Sequence, residues 1–320
     1  MNSVQSVLER SGGHTPEKEG TIMSTTDIRP VVIIGAGTLG RRIGAVFAGG
    51  GAAVRIVDFS AEQRDAALAY IRDTAPRLRD QLQESRPDLG TITVGSAEGF
   101  EDSTEESLSD AWLVIEAVPE NLDIKRPLFG TLDRLAPGDA ILATNSSSYA
   151  SRMVVDEVTH RDRVLNMHFA MPPRSMAVEL MSDGETSPEI IDRLVEELPN
   201  YGILPFVAQK ESTGFIFNRI WAAIKRESLA VVSEGVSTPD DVDAIMSANL
   251  GLKAGPFASM DQVGLDVVLN IEDHYAKENP HLPEGPRQLL HRYVDAGKLG
   301  KKTGEGFYTY DSDGNRIAEQ

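Results

Sequence analysis

Between Thr144 and Leu180 the chain carries Asn145-Ser146-Ser147-Ser148, then Met167-His168-Phe169, Pro172-Pro173 and Val178-Glu179-Leu180. This places a hydroxyl, an imidazole and a carboxylate on neighbouring apolar segments. An imidazole takes or gives a proton near neutral pH, and a carboxylate on its second nitrogen fixes the tautomer and stabilises the charged ring. Neutral hydroxyl and amide donors steady an oxygen on which charge develops. The set suits moving a proton while a hydride moves to a carrier. The same residues also have plainer uses. A histidine at a strand end is most often structural, Glu179 needs a partner that Arg174 would also satisfy, and clustered serines such as Ser146 to Ser148 commonly cap a helix.

A carrier site is visible upstream. Gly35-Ala36-Gly37-Thr38-Leu39-Gly40 follows the β-branched run Val31 to Ile34 and opens a helix read over Arg41 to Ala48. In that context small residues let the backbone turn sharply and approach a pyrophosphate, whose charge meets free amides at the helix N-terminus. Asp58 closes the second strand at the spacing of a carboxylate that accepts both adenosine ribose hydroxyls and repels a 2′-phosphate. NAD is therefore expected over NADP, with Arg55 and Arg64 close by in sequence.

Positioning these residues requires an alternating frame. Further strand-like runs are Val54 to Val57, Leu113 to Ala117, Ile141 to Ala143, Val164 to Met167 and Ile203 to Val207, with helices such as Ala61 to Leu82 and Pro188 to Leu198 between several of them. That is the pattern of an α/β, doubly wound sheet. Beyond Val207 the strands stop. Phe215 to Val232 shows one helical apolar stripe, Ser237-Thr238-Pro239 opens another helix, and Leu289 to Val294 reads as helical. The expected organisation is a leader over residues 1–28, a nucleotide-binding domain over 29–210 and an α-helical domain over 211–320.

The 320 residues suit about two domains, and 41% are apolar, enough for a substantial core. A net charge of −18 argues against nucleic acid and anionic membranes as partners. The absence of cysteine removes disulfides, thiolate zinc sites and thiol nucleophiles, which fits a cytoplasmic protein. No apolar run approaches the roughly 18 residues of a membrane span, so a soluble protein is expected, with no metal.

In its ordered motifs the chain resembles the L-3-hydroxyacyl-CoA dehydrogenase family, which includes short-chain 3-hydroxybutyryl-CoA dehydrogenases, diketoreductases and gulonate and carnitine dehydrogenases. The motifs are the glycine turn, Glu116-Ala117-Val118-Pro119-Glu120-Asn121 with Lys125, Asn145-Ser146-Ser147-Ser148, His168-Phe169, Gly214-Phe215-Ile216-Phe217-Asn218-Arg219, Gly255-Pro256-Phe257 with Asp261, and Gly300 to Tyr308. The resemblance covers Pro30 to Tyr310. It implies a Rossmann-type N-terminal domain and an all-α C-terminal dimerisation domain. It further implies an NAD-dependent oxidoreductase of fatty acid metabolism acting on a hydroxyacyl or oxoacyl substrate, with a CoA thioester as first choice and a homodimer as assembly. By position, His168 is the general base, Glu179 orients it, and Ser147 and Asn218 hold the reacting oxygen or its neighbouring carbonyl. Gly35, Gly37, Thr38, Leu39, Gly40, Asp58, Ala117, Glu120, Lys125 and Asn145 match cofactor-contacting positions.

The chain also departs from the pattern. Met171 stands where the family usually has asparagine, the span from His168 to Glu179 is one residue short, and the helix after Asp58 offers Arg64, Arg72, Arg77 and Arg79 amid acids where CoA-specific members have lysines. A free β-keto or diketo acid or ester, or a polar hydroxy acid, is the alternative substrate. Two other readings are a non-catalytic protein that keeps the cofactor fold, and a β-hydroxyacid dehydrogenase with Lys225 as its acid or base. The second leaves the His168 motif unexplained. Lys301 and Lys302 read as a solvated basic turn.

Overall fold

The computed structural model describes residues 29–82, 91–96 and 106–317; the leader expected over residues 1–28 lies outside them. The chain divides into two compact units, the first ending at Glu211 and the second starting at Ser212.

In the first unit, β1 (Val31–Ile34), β2 (Val54–Asp58), β3 (Ile92–Ser96), β4 (Leu113–Glu116), β5 (Ile141–Thr144), β6 (Val164–Met171), β7 (Ser175–Met181) and β8 (Leu204–Ala208) form one sheet. Its order is β3-β2-β1-β4-β5-β6-β7-β8, and every neighbouring pair is parallel except β6 with β7. The helices are α1 (Thr38–Gly49), α2 (Ala61–Gln81), α3 (Leu122–Leu135) and α4 (Pro188–Glu197). Period-2 alternation divides the apolar runs between two cores. Val31 and Ile33 face the core that includes Phe47 of α1, Ile71 of α2 and Leu194 of α4, while Val32 and Ile34 face the core built with Phe129 of α3.

One strand was not expected: β3 contains Gly95 and offers only a short apolar signal. The strand of Glu179, implied by the resemblance alone, is β7, a full antiparallel partner of β6. β6 itself continues past Met167 to Met171 because β7 satisfies its backbone there.

The second unit holds α5 (Phe217–Ser233), α6 (Pro239–Leu250), α7 (Pro256–Val263), α8 (Leu265–Glu278) and α9 (Gly285–Val294) around a core with Leu229, Phe257, Met260 and Leu290. Two buried carboxylates fasten its C-terminal segment. Asp243 accepts from the amides of Phe257 and Ala258, both at 2.8 Å, and from the Tyr308 hydroxyl at 2.9 Å. Asp261 accepts from the amides of Phe307 and Tyr308, both at 3.0 Å, and from the Tyr310 hydroxyl at 2.9 Å. A Cβ at Gly255 would lie 2.4 Å from Asp243, and one at Gly306 would lie 2.2 Å from Asp261 Oδ1. The glycines of two sequence motifs thus let the backbone donors reach these acids.

The basic turn of that segment is not simply solvated. Lys302 Nζ donates to both Asp266 oxygens, and Lys301 lies over the Tyr310 ring. Tyr308→Phe removes one of three donors from buried Asp243 and is expected to destabilise the fold by about 1–3 kcal/mol. An unchanged urea midpoint would show that the amide donors suffice.

Candidate active site

α1 starts at Thr38, three residues earlier than expected, so Thr38, Leu39 and Gly40 form its first turn. No side chain caps that turn and no acid occupies it, so its amides keep their capacity for an anion. The glycines divide the work. Gly35 has φ +108°, and a Cβ there would lie 2.6 Å from the Ala117 carbonyl oxygen; a Cβ at Gly40 would lie 1.9 Å from the Gly35 oxygen. A Cβ at Gly37 would meet nothing within 4 Å. The outer glycines close the turn on itself, and the middle one leaves a clear approach for a pyrophosphate, so the residues present fit the dinucleotide.

Asp58 is fixed beside that turn. Its Oδ2 accepts from the Ala36 amide and its Oδ1 from the Ser60 amide, both at 2.8 Å, leaving each oxygen a further lone pair for a ribose hydroxyl. The nearby arginines have other partners. Arg55 is bound by the Asp110 carboxylate, and Arg64 Nη1 donates to the carbonyl oxygens of Asp58 and Phe59.

Strand register lines up polar residues along the rim of the sheet. Ile34 pairs with Glu116, Glu116 with Thr144, and Thr144 with Asn166. Glu116 is fully buried: its Oε2 accepts from Thr144 Oγ1 at 2.7 Å, and its Oε1 accepts from the Val118 amide at 2.8 Å and Lys125 Nζ at 2.6 Å. Lys125 also meets Glu120 Oε2 at 3.2 Å. Glu120 in turn accepts from the Ser146 hydroxyl and the Ser148 amide. Burial acts to raise the Glu120 carboxyl, but the Ser146 hydroxyl and the Lys125 ammonium outweigh it and hold the group below the ordinary carboxylate range. Glu120 and Lys125, matched to cofactor positions by resemblance, are thus committed to this network, with Lys125 buried inside it.

His168 stands two residues beyond Asn166 on β6, on the same side of the strand. Glu179 is its register partner on β7, and His168 Nδ1 lies 3.0 Å from Glu179 Oε2, with both side chains buried. An ionised carboxylate only accepts, which assigns the neutral ring's proton to Nδ1 and makes Nε2 the basic nitrogen.

The serine loop is pinned to the same strand. Asn145 Oδ1 accepts from the Phe169 amide at 2.9 Å, while Asn166 accepts from the Ser151 amide at 2.6 Å and donates to the Tyr149 carbonyl at 2.9 Å. Ser146 Oγ accepts from the Ser148 and Tyr149 amides. The serine cluster does not cap the next helical turn, which starts at Ser151 after Ala150 with no side-chain cap; Ser146 instead braces its own loop, and Ser147 is an exposed residue. Ser146→Ala removes the bonds to the loop amides and to Glu120 and is expected to lower stability by about 1 kcal/mol. Ser147→Ala should leave the melting temperature unchanged while lowering kcat by roughly tenfold or more. Equal turnover of the Ser147 variant and the native chain would remove that hydroxyl from the chemistry.

Glu116, Thr144 and Asn166 carried no expected role. Their signal was a polar residue closing or interrupting a fully buried apolar run, where an unpaired group is costly. Asn218 lies in the first turn of α5 in the second unit, whose N-terminus has no side-chain cap bond, so it is not a capping residue. Lys225 is buried within α5, and burial pushes its ammonium pKa down against the opposing effect of Glu272. Among the described residues no group of three His, Cys, Asp or Glu could hold a metal, and no helix is long and apolar enough to cross a membrane.

Known proteins resemble this chain in sequence and fold. The family model described as 3-hydroxyacyl-CoA dehydrogenase, NAD binding domain, matches residues 30–212, and that described as the C-terminal domain matches residues 214–310. A probable 3-hydroxybutyryl-CoA dehydrogenase of Bacillus subtilis is 32% identical over 289 residues, covering 89% of this chain and 98% of the relative. The 5-formyl-3-hydroxy-2-methylpyridine 4-carboxylate 5-dehydrogenase of Mesorhizobium japonicum is 31% identical over 287 residues, covering 88% and 91%. The solved (S)-3-hydroxybutyryl-CoA dehydrogenase from Ralstonia eutropha superposes with TM-score 0.76 at 29% identity, covering 89% of this chain and 100% of that one. A solved diketoreductase gives 0.73 at 30%, covering 88% and 99%. Matching models across both units and relatives alike over nearly their full length place this chain in the 3-hydroxyacyl-CoA dehydrogenase family, with an NAD-binding first unit.

Proposed function

We propose that this protein interconverts a 3-hydroxyacyl and a 3-oxoacyl group with NAD, and that its substrate is a short-chain acyl-CoA such as 3-hydroxybutyryl-CoA in fatty acid metabolism. The observation that carries the reading is the buried His168–Glu179 pair, 3.0 Å apart on adjacent strands. Bound NAD supplies a two-electron hydride acceptor. In the oxidative direction His168 Nε2 takes the hydroxyl proton, and Glu179 holds Nδ1 and offsets the positive charge of the ring. Ser147 and Asn218 donate to the reacting oxygen or its neighbouring carbonyl. The glycine turn and Asp58 bind the dinucleotide, with Ala117 and Asn145 lining its path.

The domain boundary at 210/211, a cytoplasmic location and a homodimer belong to the same proposal. Phe217 and Ile220 of α5, 60% and 57% exposed, support association through the second unit.

A second reading, reduction of a free β-keto or diketo acid or ester, is favoured by Met171, which is 43% exposed at the end of β6. NADH consumption with acetoacetyl-CoA, free acetoacetate and a small diketo ester at matched concentration separates the two. Preference for the thioester supports the first reading, and turnover of the free compounds alone selects the second. No turnover with any of them, with NADH still bound, would overturn both.

A further inference from the structure

Two adjacent arginines follow the glycine turn and have no part in the roles above. Arg41 and Arg42 lie in the second turn of α1, and both guanidinium groups approach one ring, that of Tyr70 on α2, at 5.5 and 5.7 Å from its centroid. Arg42 Nη1 donates to the Pro172 carbonyl at 3.0 Å, on the hairpin that follows His168. Neither arginine forms an ion pair with any described residue, and the Nε atoms of both are buried with no hydrogen-bond partner. Both residues are half-buried. Two neighbouring cations, partly withdrawn from water and without a carboxylate, leave charge and donors unmatched.

Their height on the helix indicates what would match them. Arg42 is four residues beyond Thr38, a rise of about 6 Å, and helical side chains lean toward the N-terminus by a comparable reach. The two guanidinium groups therefore reach back toward the level of the first turn of α1, between Tyr70 and the Pro172 carbonyl. A planar fork is the geometry that grips phosphate oxygens in pairs. We infer that Arg41 and Arg42, backed by Tyr70, form a phosphate-binding site at the mouth of the crevice. Its occupant is a phosphate either of the dinucleotide or of a CoA carrier. The site rests on the dinucleotide reading only in using NADH as one probe.

The test is binding by the full chain: fluorescence titration with NADH and calorimetry with free CoA, for the native protein, Arg41→Gln and Arg42→Gln. For at least one ligand the Kd is expected to rise by about tenfold or more in Arg41→Gln, with inorganic phosphate competing for the native site and less for the variant. A rise for NADH assigns the pair to the cofactor, and a rise for CoA assigns it to the substrate carrier. Arg41 makes no bond to the hairpin, so its effect is not hairpin displacement; Arg42→Gln should move the Kd in the same direction. If Arg41→Gln does not fold, Arg41→Lys keeps the charge, gives up the fork and should show a smaller rise. Unchanged Kd values for both ligands overturn the site. Because the readout is binding, a chain that turns over none of the proposed substrates still gives an answer.

Discussion

His168→Gln is expected to lower kcat by roughly 10² to 10⁴-fold, the usual contribution of a positioned general base, with NADH affinity retained. Glutamine is close to histidine in size, and its amide can still donate to Glu179 Oε2, so the buried carboxylate on β7 keeps a partner. It has no nitrogen that accepts and holds a proton at working pH. The glycine turn and Asp58, proposed above to bind the cofactor, lie between β1 and α1 and at the end of β2, whereas His168 lies on β6. A fall in kcat with little change in KM would mark an interaction made in the transition state, and a matched fall in Glu179→Gln would show the two acting as a unit. Turnover within about threefold of the native chain, with NADH still bound, would remove His168 from proton transfer, because the loss of a real base exceeds that by one or more decades.

Much of this was legible in the sequence where local pattern carries the information. The fully apolar runs at β1, β4 and β5 read as strands buried on two faces, and the glycine spacing marked the turn because close approach and positive φ permit few other residues. His168 and Glu179 could be paired only through resemblance, since register between two strands is a tertiary property; in the structure they are direct partners. What stayed hidden depended on contacts distant in sequence. Glu116 and Thr144 are 28 residues apart and meet only because β4 and β5 are neighbours. Asn166 looks like any polar interruption of a strand until the loop at Tyr149 and Ser151 is laid over it. The motifs around Gly255 and Gly306 gave no hint of chemistry because their work is to bring amides to Asp243 and Asp261. Arg41 and Arg42 carried no reading beyond the helix they lie in, because Tyr70 and Pro172 come beside them only through tertiary packing.

Lys125→Met is expected to cost roughly 3–5 kcal/mol of stability, the penalty of stranding a buried charge, out of a total of about 5–15 kcal/mol. The Lys125 and Glu116 side chains are 1% and 0% exposed, and their ion pair is 2.6 Å long. Methionine fills the space of the lysine stem but leaves Glu116 with only the Val118 amide and the Thr144 hydroxyl as donors. Adding Glu116→Gln should recover a large part of the loss, because a neutral amide needs no counter-charge, its oxygen still accepts from the Val118 amide and its NH2 can donate to the Thr144 hydroxyl oxygen. The measurement also decides between two roles for the lysine. If Lys125 acts chiefly by contacting the cofactor, the methionine variant keeps its urea midpoint and loses NADH affinity. If it acts by neutralising Glu116 and steadying Glu120 under the serine loop, the midpoint falls and the double variant regains both stability and NADH affinity. The 1% exposure of Lys125 and its two carboxylate partners favour the second outcome, since a side chain that makes both contacts has no accessible surface left to offer a ligand.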